Sequence, residues 1–167
     1  MLRFETSLGA FSVELFDKEA PRTVANFLKY VEDEFFDGTI FHRIVPGFVI
    51  QGGGMEPGPT QKTTRPPIQN EATNGLENLR GTLSMARYEP GNSGASFFFC
   101  MRDDPEFDEG GKRQPDGSGF CAFGEVVSGF DAMERLFARA ESEPWLKRRI
   151  AIHRVHRLAD QALADDG

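Results

Sequence analysis

The sequence predicts a mainly β protein, a closed antiparallel barrel of about eight short strands with two α-helices capping its open ends. Three observations predict it. Short apolar or alternating runs are separated by glycine, proline and charged turn residues, and only two windows carry the three- and four-residue spacing of a helix. No run shows the charged residues that guard an exposed sheet edge, as expected when closure removes the edge.

Leu2–Thr6 and Phe11–Phe16 read as a hairpin joined by the Ser7-Leu8-Gly9 turn. The first helix follows, with Pro21 in its first turn and Val24, Phe27, Leu28 and Val31 on one apolar face. Phe41–Val45 and Phe48–Gln51 form the next strand pair around Pro46-Gly47. Residues 52–81 are rich in glycine and proline and read as loop. Strands resume at Thr82–Ala86, Phe97–Cys100 and Phe120–Val126, with a charged, glycine-rich loop over 102–119. Ser128-Gly-Phe-Asp131 has the pattern of a capping box opening the second helix, whose apolar face is Met133, Leu136 and Phe137. Ile150–Leu158 is a closing strand. Residues 1–158 thus make one domain, and 159–167 a frayed acidic tail.

At 167 residues the chain is large enough to bury a core without metal or disulfide help, and sixteen phenylalanines against one tryptophan make that core Phe-rich. The net charge of −7, with no basic run, argues against a general nucleic-acid binder. No apolar segment approaches the ~20 residues that span a bilayer. The charged, strand-like start MLRFETSLGAF has no signal-peptide core, so a cytoplasmic protein is expected. Cys100 and Cys121 lie in apolar strand-like runs without electropositive neighbours or clustered ligands, and read as buried free thiols.

Several motifs carry no chemistry. Gly52–Gly54 opens into proline-rich loop where a phosphate cradle needs a helix N-terminus. No helix follows Gly91-Asn-Ser93-Gly-Ala95, so it is no nucleophile elbow. Simple alternation turns His42 away from the face of Arg43, and separates His153 from His156. Asp103, Asp104, Glu106, Asp108 and Glu109 lack calcium-loop spacing and read as a solvated loop.

The stretch FHRIVPGFVIQGGG, Phe41–Gly54, stands apart. It sets Arg43, with five donors and a permanent charge, beside aromatic surface in a hydrophobic strand pair. Either the guanidinium snorkels from a half-exposed strand, or the protein uses it. With no nucleophile, acid–base pair or metal in view, the chemistry that fits is one where positioning and electrostatics suffice. Rotation about an X–Pro bond, with a barrier of ~18–20 kcal/mol from partial double-bond character, is such a case. An arginine donating to the prolyl nitrogen would localise its lone pair, and a low-dielectric aromatic pocket would strengthen that donor. No cofactor is needed.

FHRIVPGFVIQGGG, then RGTLSMAR at 80–87, SFFFC at 96–100 and FCAFGEVVSGFD at 120–131, occur in the order seen in cyclophilins. The chain resembles a cyclophilin-type peptidyl-prolyl cis–trans isomerase of the bacterial cytoplasmic branch. The resemblance runs from the first hairpin to the closing strand and implies the eight-stranded, two-helix barrel. It implies that Arg43 is the catalytic arginine, that Gln51 orients the substrate backbone, and that Phe48 floors the proline pocket. Val49 stands where many members have methionine, and Phe98 matches the second aromatic wall. Ala86 and Arg87 match the edge segment that pairs with substrate, Arg87 standing where asparagine is common. Because alternation alone puts Phe48 and Gln51 on opposite faces, the strand must be irregular just after Pro46-Gly47.

Three positions depart from the family pattern. Ser96 falls where glutamine is usual, Phe120 replaces a histidine or tyrosine, and Phe107 fills the place of a tryptophan or phenylalanine that contacts ligand. The expectation is an isomerase acting on proline-containing peptides and on unfolded or flexible chains to assist folding. It is a monomer without nucleic-acid or membrane partners and with weak cyclosporin binding. The alternative is a proline-peptide binding module or holdase with the same groove and little turnover, which the Ser96 and Phe120 departures favour.

Overall fold

The computed structural model describes residues 1–45, 49–56, 60–62, 68–69, 76–86, 92–93, 96–103, 105–108, 120–139 and 145–158. Eight strands close a barrel: β1 (Leu2–Thr6), β2 (Gly9–Leu15), β3 (Ile40–Val45), β4 (Val49–Gly52), β5 (Thr82–Met85), β6 (Phe97–Cys100), β7 (Ala122–Ser128) and β8 (Trp145–Arg157). Their order around the barrel is β1-β8-β3-β4-β6-β5-β7-β2, and neighbouring strands pair antiparallel. Met55–Glu56 with Thr60–Gln61, and Ile68–Gln69 with Asn92–Ser93, make two short ribbons outside it. The expected barrel is therefore present. The last strand begins earlier than the apolar run suggested, at Trp145, and β7 runs over Ala122–Ser128 rather than Phe120–Val126.

Phenylalanine fills the barrel. Phe97 is fully buried, with ring centroids 5.4–5.8 Å from those of Phe4, Phe27, Phe36 and Phe99, mostly edge to face. That geometry sets the positive edge of one ring against the negative face of another and adds to the gain from burial. Phe4 stacks on Phe11 at 5.0 Å, which ties the first hairpin to the same cluster.

The helix α1 (Pro21–Glu32) starts at Pro21, as its sequence predicts, and buries Thr23, Val24, Phe27, Tyr30 and Val31. Phe27 reaches the barrel core through Phe97 and Phe123. The helix α2 (Phe130–Phe137) buries Ala132, Met133 and Leu136, with Phe137 half-buried against the core.

The capping box expected at Ser128 does not form. Ser128 is still a β7 residue paired with Ser12, and the helix is capped by Gly129 with no side-chain hydrogen bond. Glycine is required there by geometry: φ is 82°, and a Cβ would stand 2.5 Å from the Ala10 carbonyl oxygen and 2.6 Å from the Phe11 Cα.

Candidate active site

The site lies on the outer face of strands whose inner face is the core. On β6, Phe97 and Phe99 point into the barrel while Phe98 and Cys100 join a second, separate cluster with Val49, Ala86 and Phe107. Half-buried Val45 and Phe120 pack against that cluster. On β4, Ile50 belongs to the core, whereas Val49 belongs to the outer cluster and Gln51 shares its parity.

Arg43 reaches this face through a break in register. Phe41 is opposite Gly52, yet Arg43 is opposite Gln51, so two steps along β3 match one step along β4. The β8 side breaks at the same place, where Arg43 pairs with Trp145 and Phe41 with Ile150. Phe41 and Ile44 lie wholly in the core, so without the bulge Arg43 would follow Phe41 inward. With it, Arg43 stands half-buried beside Val45 and faces Gln51, donating from Nη1 to Oε1 over 3.4 Å. The irregularity expected just after Pro46-Gly47 falls on residues outside the described ones, and the described break lies earlier, between Phe41 and Arg43. Alternation therefore gives His42 no orientation, and its side chain is outside the described ones. His153 is exposed, and His156 is half-buried with its Nε2 3.8 Å from Glu5 Oε2.

Three rings pack together as one wall of the candidate groove. The centroids of Phe98, Phe107 and Phe120 lie 5.0–5.4 Å apart in tilted and edge-to-face contacts. Phe107 comes from a one-turn 3₁₀ helix, Pro105–Phe107, and its ring lies in the outer cluster. The Phe120 N–H donates to the Phe107 carbonyl at 2.7 Å, joining the loop to the segment that enters β7. In the same cluster, Ala86 is buried and its N–H donates to the Ser96 carbonyl at 2.9 Å. Ser96 is itself buried, with 3% of its surface exposed.

The structure thus brings together Arg43, Gln51, Val49, Ala86, Ser96, Phe98, Phe107 and Phe120 around one face. Phe48 and Arg87 lie outside the described residues. Two polar residues escape sequence reasoning. Asn78 is buried, and Asp108, read above as part of a solvated loop, accepts hydrogen bonds from both the Asn78 N–H at 2.7 Å and its Nδ2 at 2.8 Å. No periodic or motif signal marks a pair 30 positions apart. The thiol of Cys100 is buried among the groove residues, and that of Cys121 lies 3.5 Å from the Thr23 hydroxyl.

The family described as cyclophilin type peptidyl-prolyl cis-trans isomerase/CLD matches residues 1–157. The chain is 46% identical over 136 residues to peptidyl-prolyl cis-trans isomerase B of Escherichia coli (strain K12), covering 81% of this chain and 83% of that protein. It is 42% identical over 136 residues to a peptidyl-prolyl cis-trans isomerase of Acinetobacter baylyi, covering 81% and 71%. The fold is similar to that of a Cryptosporidium parvum cyclophilin type peptidyl-prolyl cis-trans isomerase crystallised in the presence of the dipeptide Ala-Pro. There the TM-score is 0.78 over 95% of this chain and 99% of that one, at 24% identity.

Proposed function

The chain belongs to the cyclophilin-type peptidyl-prolyl cis-trans isomerase family and is such an isomerase, and from that premise we propose that Arg43 and Gln51 are its catalytic residues. The observation that carries the proposal is the pairing of Arg43 with Gln51 on the groove face, beside the Phe98, Phe107 and Phe120 rings.

In the twisted transition state the amide loses its resonance and electron density returns to the prolyl nitrogen. Arg43 donates to that nitrogen and stabilises the localised lone pair. Gln51 Oε1 holds the guanidinium from one side, which leaves the Gln51 amide N–H groups to meet a substrate carbonyl. The apolar wall, with Val49, receives the proline ring and keeps water from competing for the donor. The Ala86 N–H is committed to Ser96, so a substrate strand running along Ala86 and Arg87 uses the Ala86 carbonyl. No bond to the enzyme forms, and no proton changes owner.

The substrates are proline-containing peptides and flexible or unfolded chains, where uncatalysed isomerisation takes tens to hundreds of seconds and limits folding. A cytoplasmic monomer is part of the same reading, the compartment being supported by two buried cysteines that form no disulfide. Among the described residues no helix is long and apolar enough to cross a membrane.

Exchange NMR on a short Ala-Pro peptide tests the assignment. Wild type is expected to speed cis–trans exchange at substoichiometric amounts, and Arg43→Ala to lose most of that effect while still binding. Peptide binding without faster exchange in wild type would leave only the binding module.

A further inference from the structure

We infer that Asn78 and Asp108 form a polar clamp that positions the aromatic wall of the groove, making Asn78 a positioning residue for proline binding. The inference rests on the isomerase-site assignment above and adds residues to it.

The wall poses a construction problem. Phe98 comes from β6, Phe107 from the 3₁₀ turn and Phe120 from the segment before β7, so no single element sets the three rings relative to one another. Asn78 belongs to a fourth segment; it bonds the Phe120 backbone directly and reaches the other two rings through residues beside them. Its Nδ2 donates to Asp108 Oδ1 at 2.8 Å, and Asp108 directly follows Phe107. The same Nδ2 donates to the carbonyl of Phe120 at 3.3 Å. Its Oδ1 accepts from the Ser84 hydroxyl, and Ser84 is the cross-strand partner of Phe98. Its backbone N–H donates a second bond to Asp108 Oδ1, at 2.7 Å.

One buried amide is therefore satisfied by groups adjoining each ring. The residue is 1% exposed, so any bond lost would leave a polar group without water to replace the partner. Such a network is costly to disturb, which makes it suited to holding loop residues in one arrangement. The carboxylate on Asp108 strengthens both bonds it accepts, because charge-assisted bonds are shorter and stronger than neutral ones. Among the described residues no hydrogen bond joins the clamp to Arg43, so it bears on where the proline ring sits rather than on the donor to its nitrogen.

The test uses the full-length protein and an Ala-Pro peptide, with KM and kcat determined separately and thermal unfolding followed alongside. Asn78 is buried and its replacement risks the fold, so the primary variant is Asp108→Ala, at a half-buried loop position. It removes the acceptor of two bonds and is expected to raise KM about three- to tenfold with kcat within about twofold of wild type. Asp108→Asn keeps an oxygen acceptor facing Asn78 and should recover most of the loss. A purely structural role would lower the unfolding temperature of both variants and leave the KM of the folded protein unchanged.

An unchanged KM in Asp108→Ala, or an Asp108→Asn variant no better than the alanine, overturns the clamp. Arg43→Ala, measured in parallel, separates this from failure of the site itself. If Arg43→Ala retains full kcat, the isomerase-site assignment fails. If it loses kcat while Asp108→Ala keeps its KM, only the clamp fails.

Discussion

Phe97 and Phe98 are adjacent on one four-residue strand and both are almost fully buried, yet they belong to different parts of the protein. Phe97 is enclosed by rings from β1, α1, β6 and the α1–β3 connection. Phe98 sits in a small cluster whose neighbours, Phe107 and Phe120, arrive on loops. The strand's two-residue period separates the two: the inner face is a sealed core, and the outer face is the apolar surface proposed to receive the ligand. Exposure alone does not distinguish them, since the rings of Phe98, Phe107 and Phe120 pack on one another. The distinction lies in what surrounds each ring.

The sharpest way to break that comparison is to truncate both rings. Phe97→Ala is expected to cost about 3–5 kcal/mol of stability, the scale for emptying a buried aromatic site that cannot collapse. Phe98→Ala should cost distinctly less, because the space it leaves opens towards a groove that water can enter, and should instead raise KM for an Ala-Pro peptide. Chemical denaturation of the two variants checks this. Equal losses of stability would mean that the outer cluster is simply more core.

Next in size is Arg43, which shares the outer face with Phe98 but is proposed to act through charge. Arg43→Ala should lower kcat/KM about 10²–10³-fold, the scale for loss of one preorganised donor that acts in the transition state. Stability should change little, because Arg43 is half-buried and its bond to Gln51 is long. An unchanged rate would remove Arg43 from the mechanism.

The two faces also differ in how far the sequence discloses them. The core was readable from period alone: the strand runs, the Pro21 start of α1 and its Val24, Phe27 and Val31 face all rest on local spacing that the fold preserves. The residues proposed for the groove were named through the family resemblance, and only partly through spacing. Counting in twos from Phe41 would turn Arg43 inward, and nothing in FHRIVPG announces the extra residue that turns it out. A bulge is set by pairing with two neighbouring strands at once, which no local pattern contains. The Asn78–Asp108 clamp is hidden for a similar reason, as its partners are distant in sequence and look like ordinary loop residues. At Ser128 the local pattern misled, because the chain had to remain in β7 for one more residue and pass close to Ala10 and Phe11 before turning.

A smaller effect concerns the chemistry of the wall itself. Phe107 gives the groove a ring without a hydrogen-bond donor, whereas an indole at that place could donate to a ligand such as cyclosporin. One hydrogen bond to an otherwise buried ligand group is worth about 1–3 kcal/mol, or roughly 5- to 150-fold in affinity. Wild type should therefore bind cyclosporin weakly, and Phe107→Trp should tighten binding within that range, as titration calorimetry would show. The ring of Phe107 is buried against Phe98 and Phe120, so the indole has to project at the wall's rim to gain the bond. Nanomolar binding by wild type would refute the argument.

The smallest expected effect lies at Ser96, where core-like burial and groove function meet. Its carbonyl is tied to the Ala86 N–H and only 3% of the residue is exposed, so the position belongs structurally to the barrel wall. A glutamine there could extend into the groove and bond either the substrate backbone or the Arg43 guanidinium, a reach that serine lacks except through a bridging water. Such a neutral bond contributes about 0.5–1.5 kcal/mol net, against the ~1.4 kcal/mol that makes a tenfold change. Ser96→Gln should accordingly raise kcat/KM by less than about tenfold, and the added volume next to Ala86 offsets part of that gain. The measurement is peptide isomerisation by wild type, Ser96→Gln and Arg43→Ala under identical conditions. If the glutamine variant were a thousandfold faster than a wild type working near the uncatalysed rate, the natural groove would be a binding surface, and the charge of Arg43 could not be what drives turnover in it.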